Sequence, residues 1–485
     1  MKRALGVALL CLSAAGAASA ADLLSVYQDA LANDPAIREA DATRKANREA
    51  RPQAWAALLP QINGQAGLTR GEQDSTTTQP QTINAAGSVL VVQRTVHTEP
   101  DTRTWALNLR QSVFNWNYWA TLRASNYQVA QAEADYQAAE QDLMSRAAAR
   151  YFGVLSAQDT VEAQQAALDA FNRQLDQANK RFEVGLIAIT DVQDTKAARD
   201  QAAAAVIAAK RSLATAEEQL REVTGQKYDR LARPGDSMPL KTPEPNVEQQ
   251  WVDVSMEQNL ALISSRLQAD QARENVQVAF GGHLPTIDIV ATRDHSKGEG
   301  DSRFDPTLPL IPAPSHSDDK TYGLQVTVPI FSGGLTQSRV RQSQYLWIAA
   351  KERVTRTSRA TERAARDAYL GVISNMARVE ALRQALESSQ TSLKATEAGY
   401  EVGTRTSVDV LDARRLLVQA QTNYSQSRYD YLQTVIALRQ AAGNLDKKTL
   451  EDMNTLLTVI TPTAPTDPNA PVTVPPPAQQ PPPPR

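Results

Sequence analysis

Two pairs of carboxylates are the residues in this sequence best placed to do chemistry. The stretch "VGTRTSVDVLDARR" at 402–415 carries Asp409 and Asp412, and "VGLIAITDVQDTKAAR" at 184–199 carries Asp191 and Asp194 in the same frame. Three residues of separation put both members of a pair on one helix face. Such a pair could do acid–base work or hold a divalent cation through oxygen ligands. It could also simply open a helix, where free N–H groups and the macrodipole favour negative charge. Helix opening explains one aspartate of a pair well. It accounts less well for two, and for their recurrence in the other half of the chain.

Other reactive constellations are missing from the sequence. His97, His283, His295 and His316 fall in expected loops or strand ends, and none has a metal-ligand spacing. No Ser/His/Asp pattern and no phosphate-binding glycine loop can be placed; Gly333-Gly334 after Phe331 reads as a strand-to-helix turn. The expectation is a chain with no catalytic residue, no cofactor and no intrinsic metal site.

The aspartates must be positioned by helices. Residues 117–184 and 335–402 lack proline and are rich in Ala, Gln, Glu, Leu and Arg, which favour helix. At ~1.5 Å per residue each would run about 100 Å. That is too long for one globular core, so each needs partners along its length, as in a coiled coil or bundle. "VGLIAIT" and "VGTRTSV" are the breaks that turn each long helix into its successor, with Gly185 and Gly403 suited to helix ends.

One frame relates two halves of the chain. Residues 151–225 align without a gap at an offset of 218: Tyr151, Asp191, Asp194 and Gly225 fall on Tyr369, Asp409, Asp412 and Gly443. Alanine-rich helices aligned by chance would not keep these residues in step, which argues for duplication. The expected order is a first repeat at 21–226, with a helix, strands at about 60–70 and 104–114, a long helix at 115–184 and a helix at 191–224. A linker at 227–246 leads to a second repeat at 247–445, with a helix, strands at about 285–294 and 321–331, a long helix at 335–402 and a helix at 409–442. A segment at 446–460 precedes a tail at 461–485 whose eleven prolines read as polyproline-type or disordered chain.

The strands alternate apolar and polar residues, as in Ile62, Gly64, Ala66 and Leu68, or Tyr322, Leu324, Val326, Val328 and Ile330. Their length and dyad pattern suit a transmembrane β-barrel; a half-buried sheet in a soluble domain is the plainer alternative. Nothing else in the chain could cover so broad an apolar face, which favours the barrel. Polar loops at 72–103 and 295–320 are expected to join the strands. Trp116, Tyr118 and Trp119 suit either an aromatic girdle or helix packing. Four strands cannot close a barrel, and an open edge in lipid is forbidden. The barrel must be shared: three chains give twelve strands, while two or four chains stay open arithmetically.

The formal net charge is −3, and removing Lys2 and Arg3 with the first twenty residues leaves −5. That balance argues against a nucleic-acid partner, which needs a clustered positive surface. "MKRALGVALLCLSAAGAASA" reads as a signal peptide cleaved after Ala20, with an uncleaved anchor as the alternative. The one cysteine, Cys11, lies inside it, so disulfides, thiolate metal sites and a lipid-bearing N-terminal cysteine are not expected. No later window is apolar enough for a transmembrane helix.

With these residues placed, the sequence resembles the TolC family of outer-membrane export channels. The carriers are "RFEVGLIAITDVQDTKA" and "GYEVGTRTSVDVLDARR", each after a long helix. The likeness covers nearly all of the chain after residue 20 except the loops and the tail. It implies a mixed α and β membrane protein: a homotrimer with a twelve-stranded barrel in outer-membrane lipid, continued by an α-helical tunnel across the periplasm of a Gram-negative bacterium. The far end is nearly closed and opens when an inner-membrane transporter, ABC or proton-driven, and a periplasmic adaptor protein dock. No enzymatic activity is implied. The missing lipid-anchoring cysteine places the chain nearer the members used for type I protein secretion and drug efflux.

The same resemblance implies a pore constriction at Asp409 and Asp412, and a gate latch of Tyr400, Arg405, Thr190 and Asp191. It implies that Tyr400 bonds Asp191 and that Arg405 bonds the Thr190 region. In a trimer six carboxylates would ring one pore, selecting cations, raising one another's pKa and inviting block by divalent cations. A trimeric surface stalk or adhesin and a periplasmic coiled-coil adaptor are the competing classes.

Overall fold

The computed structural model describes residues 21–82, 89–235, 238–303, 309, 311–312 and 314–462. The expected signal peptide with Cys11, and the proline tail from residue 463 onward, lie outside the described residues. In chain order the elements are α1 (Leu23–Asn33), α2 (Pro35–Arg48), α3 (Ala50–Ala56), β1 (Gln61–Arg70), β2 (Gln73–Thr82), β3 (Val89–Phe114), α4 (Trp116–Glu183), α5 (Ile189–Thr224) and β4 (Arg230–Pro234). There follow α6 (Glu248–Gln258), α7 (Leu260–Phe280), β5 (Thr286–Arg303), β6 (Ile311–Pro312), β7 (Ser315–Thr327), α8 (Leu335–Glu401), α9 (Ser407–Ala442), α10 (Lys447–Asn454) and β8 (Leu457–Pro462). Among the described residues no helix is long and apolar enough to cross a membrane. The described residues divide into two compact units, one within 21–43, 133–263 and 355–462, the other within 44–132 and 264–354.

The first unit is helical. Its main core gathers Leu23 and Val26 of α1, Tyr151 and Phe152 of α4, Leu220 of α5 and Ile436 of α9, all buried. A second cluster, nearer the carboxylate pairs, packs Leu168 and Phe171 of α4 against Ala198, Ala202 and Val206 of α5 and Leu411 of α9. The alanines on α5 recur at helical spacing, and side chains this small let helix axes approach closely. A small sheet pins the chain ends of this unit. Strand β4 pairs antiparallel with β8, Ala21 bridges Leu231, and the Tyr151 hydroxyl donates to Ala232 O at 2.5 Å.

The second unit holds an antiparallel sheet with four lanes. Strand β3 pairs along its length, with β1 against 101–110 and β2 against 89–98. On its other side β3 pairs β5, which pairs β7 and β6. The outer lanes, β1 with β2 and β7 with β6, are open edges within this chain. Register sorts the side chains into two faces. One carries Ile62 opposite Leu109, Leu109 opposite Ala291, Ala291 opposite Tyr322, and Ile289 opposite Leu324. The other carries Asn108 opposite Thr292, Thr292 opposite Thr321, and Ser112 opposite Asp288. There Arg110 Nη2 donates to Asp288 Oδ2 at 2.6 Å. The apolar face is uncovered: Leu68 is 82 % and Tyr322 86 % exposed.

The stretches expected as loops at 72–103 and 295–320 are largely strand instead. β2 and the first part of β3 extend the sheet, Thr76 Oγ1 lying 3.0 Å from Thr95 Oγ1 across the pair; β5 runs on to Arg303 and β7 starts at Ser315. Polar runs in β2, in β5 beyond 295 and at the start of β7, and the unbroken apolar run 89–92 of β3, erase the alternation that marks a half-buried strand, while the backbone ladder forms regardless. β7 ends at Thr327, short of the expected 331. The segment expected to be linker contains β4, and its partner β8 takes in Thr461 and Pro462, the first two residues assigned to the tail.

Candidate functional site

The carboxylate pairs sit at two tight turns of the first unit. Each long helix ends in the same hydrogen-bonded motif, with a left-handed glycine after the last turn. After α4, Leu186 N donates to Arg181 O at 2.8 Å and Gly185 N to Phe182 O at 2.9 Å. After α8, Thr404 N donates to Gly399 O at 2.8 Å and Gly403 N to Tyr400 O at 3.2 Å. Gly185 and Gly403 have φ of +75° and +80°, where a Cβ would be strained.

The helices that follow start differently. Before α9, Thr406 and Asp409 form a reciprocal capping box. Thr406 N and Oγ1 both donate to Asp409 Oδ2 at 2.9 Å, and Asp409 N donates back to Thr406 Oγ1 at 3.2 Å. Before α5 the matching position is Ala188, which has no hydroxyl to offer. Asp191 is therefore free of capping duty, and its Oδ1 accepts from the buried Ser407 Oγ at 2.9 Å. That bond joins the first residues of α9 to those of α5.

Within one chain these turns make the following contacts. The structure brings Asp191 to Ser407 rather than to Tyr400. The Tyr400 ring lies under the Arg181 guanidinium, 5.0 Å from ring centroid to Cζ. Arg405 folds back within its own turn: its N–H bonds Gly399 O, and its Cγ stands where a side chain at 399 would begin. Within the chain the Arg405 charge acts on Asp409, and Thr190 is exposed. Ser407 was missed because "TSVD" marks Thr406 as the cap and gives no hint of a partner 216 residues away.

Within the chain, the Asp409 carboxyl is held below its usual range. The Thr406 backbone N–H is the main cause, then the Thr406 hydroxyl, with Arg405 adding to both. Within one chain Asp409 is surrounded by donors rather than by acids; the raised pKa expected of clustered carboxylates belongs to a ring of several chains. Asp412 is exposed and pairs with Arg415 at 3.0 Å, one turn on. Asp409 thus caps a helix while Asp412 projects from it.

The structure also assembles a group that linear spacing did not reveal. His295 on β5 stands opposite Asp318 on β7, and His316 follows two residues earlier on the same face. Their nitrogen and oxygen atoms all lie within 4.8 Å of one another. The sequence distance across the hairpin hid the set; only strand register reveals it.

With this geometry established, comparison with known proteins gives a consistent result. The family described as outer membrane efflux protein matches residues 26–226 and 251–444. The chain is 34 % identical to the outer membrane protein TolC of Escherichia coli over 467 residues, covering 94 % of this chain and 90 % of that one. It is 33 % identical to the outer membrane protein TolC of Vibrio cholerae over 440 residues, covering 91 % and 94 %. Among solved structures, the CmeC outer membrane channel of Campylobacter jejuni superposes with a TM-score of 0.68 at 18 % identity, covering 90 % of each chain.

Proposed function

The chain belongs to the outer membrane efflux protein family and is an outer-membrane export channel, and we propose that it works as one third of a gated duct. The observation that carries this reading is the four-lane sheet with one exposed apolar face, one polar face and two open edges. Lipid offers no hydrogen bonds to an open edge. Three chains close twelve lanes into a barrel with the apolar face outward and the polar face lining water. The helices α4, α5, α8 and α9 continue the duct into the periplasm, and the turns at 184–190 and 402–406 form its inner end. The equal lengths of α5 and α9, 36 residues each, and the matched glycine turns support a tandem repeat. Mature chains begin after Ala20 in this reading.

At the inner end Asp412, and Asp409 when its capping bonds loosen, form carboxylate rings that select cations and take up divalent cations. Asp191–Ser407 and Arg181–Tyr400 hold the two helical pairs together, and Thr190 and Arg405 flank that contact. Each link is weak alone, on the order of 1 kcal/mol for a hydrogen bond. Three copies release readily when an inner-membrane transporter and a periplasmic adaptor dock. No observation favours a stalk or adhesin.

Recordings in planar bilayers test the proposal. The wild-type channel is expected to conduct cations and to be blocked by divalent cations. Asp409→Asn with Asp412→Asn should lower cation selectivity and relieve the block; unchanged block would remove the carboxylate rings from the account. Absence of any conductance would leave only an anchored stalk.

A further inference from the structure

We propose that His295, His316 and Asp318 form a binding site for a transition-metal dication such as zinc on the apolar side of the sheet, at the middle of β5 and the first residues of β7. The row that pairs Ala291 with Tyr322 belongs to the apolar face. Next on that face come Arg293 opposite Lys320, then His295 opposite Asp318, then Lys297 opposite His316. The site therefore lies just beyond the apolar band, open to the medium on one side.

The donor set and its spacing fit. His295 Nδ1 lies 3.0 Å from Asp318 Oδ1, and His316 Nε2 lies 3.2 Å from Asp318 Oδ2. Ligand atoms at ~2.0–2.2 Å around a tetrahedral ion sit about 3.3 Å apart, so both nitrogen–oxygen separations are already near that value. The three ligand atoms lie within 4.8 Å of one another, and His316, the most exposed of the three at 61 %, has room to turn and draw the set closer. His295 is held in place by the indole of Trp105, stacked at 5.6 Å between centroids and 19° between planes. The two imidazoles meet edge to face at 4.9 Å. Two imidazoles and a carboxylate are a common ligand set for zinc, copper or nickel.

The neighbouring cations limit affinity without closing the site. Lys297 is paired with Glu299 at 2.5 Å, and the Arg293 guanidinium lies over Trp105 at 5.5 Å from its centroid. Lys320 completes the positive surroundings. A fourth position faces outward and takes water or an anionic oxygen. Bound there, the ion ties the edge strand β7 to β5 across their register.

The test uses the full-length channel in detergent, stripped with chelator and kept in excess magnesium so that all-oxygen sites are filled. Titration with zinc chloride by calorimetry is expected to show one ion per chain. His295→Ala, His316→Ala and Asp318→Asn should each weaken binding by ~10-fold or more, while His97→Ala, farther along the same face and paired with Asp74 at 2.6 Å, should not. Copper(II) resonance spectra should show two coupled imidazole nitrogens in the wild type and one in His316→Ala. Unchanged zinc affinity in the double variant His295→Ala, His316→Ala would overturn the proposal, as would absence of zinc binding to the wild type. Variants that assemble and melt as the wild type does separate lost ligation from lost folding.

Discussion

Asp191 and Asp409 occupy matching places in the two turns yet do different work, and the residue three positions earlier decides which. Thr406 engages Asp409 in a capping box; Ala188 offers no side-chain cap, so the Asp191 carboxylate reaches Ser407. Ser407→Ala should therefore raise resting conductance in bilayers. Tyr400→Phe should leave it near the wild-type level, because the ring can still carry Arg181; an opening effect of Tyr400→Phe with none from Ser407→Ala would reverse this assignment. Thr406→Ala should destabilise the start of α9 by about 1 kcal/mol, read as a lower thermal midpoint. The sign of the pH effect follows from the lowered Asp409 pKa. The cap's contribution is complete above the unfolded carboxyl value of ~3.9 and is lost as pH falls through the lower folded value. Neutral-to-acid gating above about pH 5 should thus be unchanged in Asp409→Asn; a shifted profile there would point to carboxylates of neighbouring chains. The aspartates and the turn glycines were readable in sequence from their types and spacing. Their partners were not, because hydrogen bonding between turns depends on how α5 and α9 pack.

At the scale of elements, the long helices declared themselves through composition and the absence of proline, and α4 and α8 run almost the full stretches expected of them. The apolar halves of the strands were equally plain. Their polar continuations were not, since Thr, Gln and Ser on both faces look the same in a ladder as in a loop. The β4–β8 pair escaped notice for a related reason: "RLARP" and "LTVITP" are short and lie far apart in the chain. The glycine turns make the sharpest prediction at this scale. Gly403→Ala and Gly185→Ala each force a Cβ into left-handed backbone, at a cost of about 1 kcal/mol. In the proposed duct that strain falls on the inner end, so each variant is expected to leak ions at rest while the assembled channel stays resistant to heat in detergent. A tight channel in both would show that the turns absorb the change without moving the helices.

For the whole molecule, the open edges of the sheet carry the most weight. Sequence arithmetic left two, three or four chains open, because the count of strands says how many lanes a chain supplies and nothing of the curvature that closes them. Identical edges also make chains interchangeable at the moment of assembly, so a cell holding two versions of the gene would build mosaics. If wild-type chains are mixed with Asp409→Asn, Asp412→Asn chains, ion selectivity should be inherited in steps. Single-channel recordings would sort into discrete kinds, one more kind than there are chains in the ring. Four kinds would count three subunits from a population of currents.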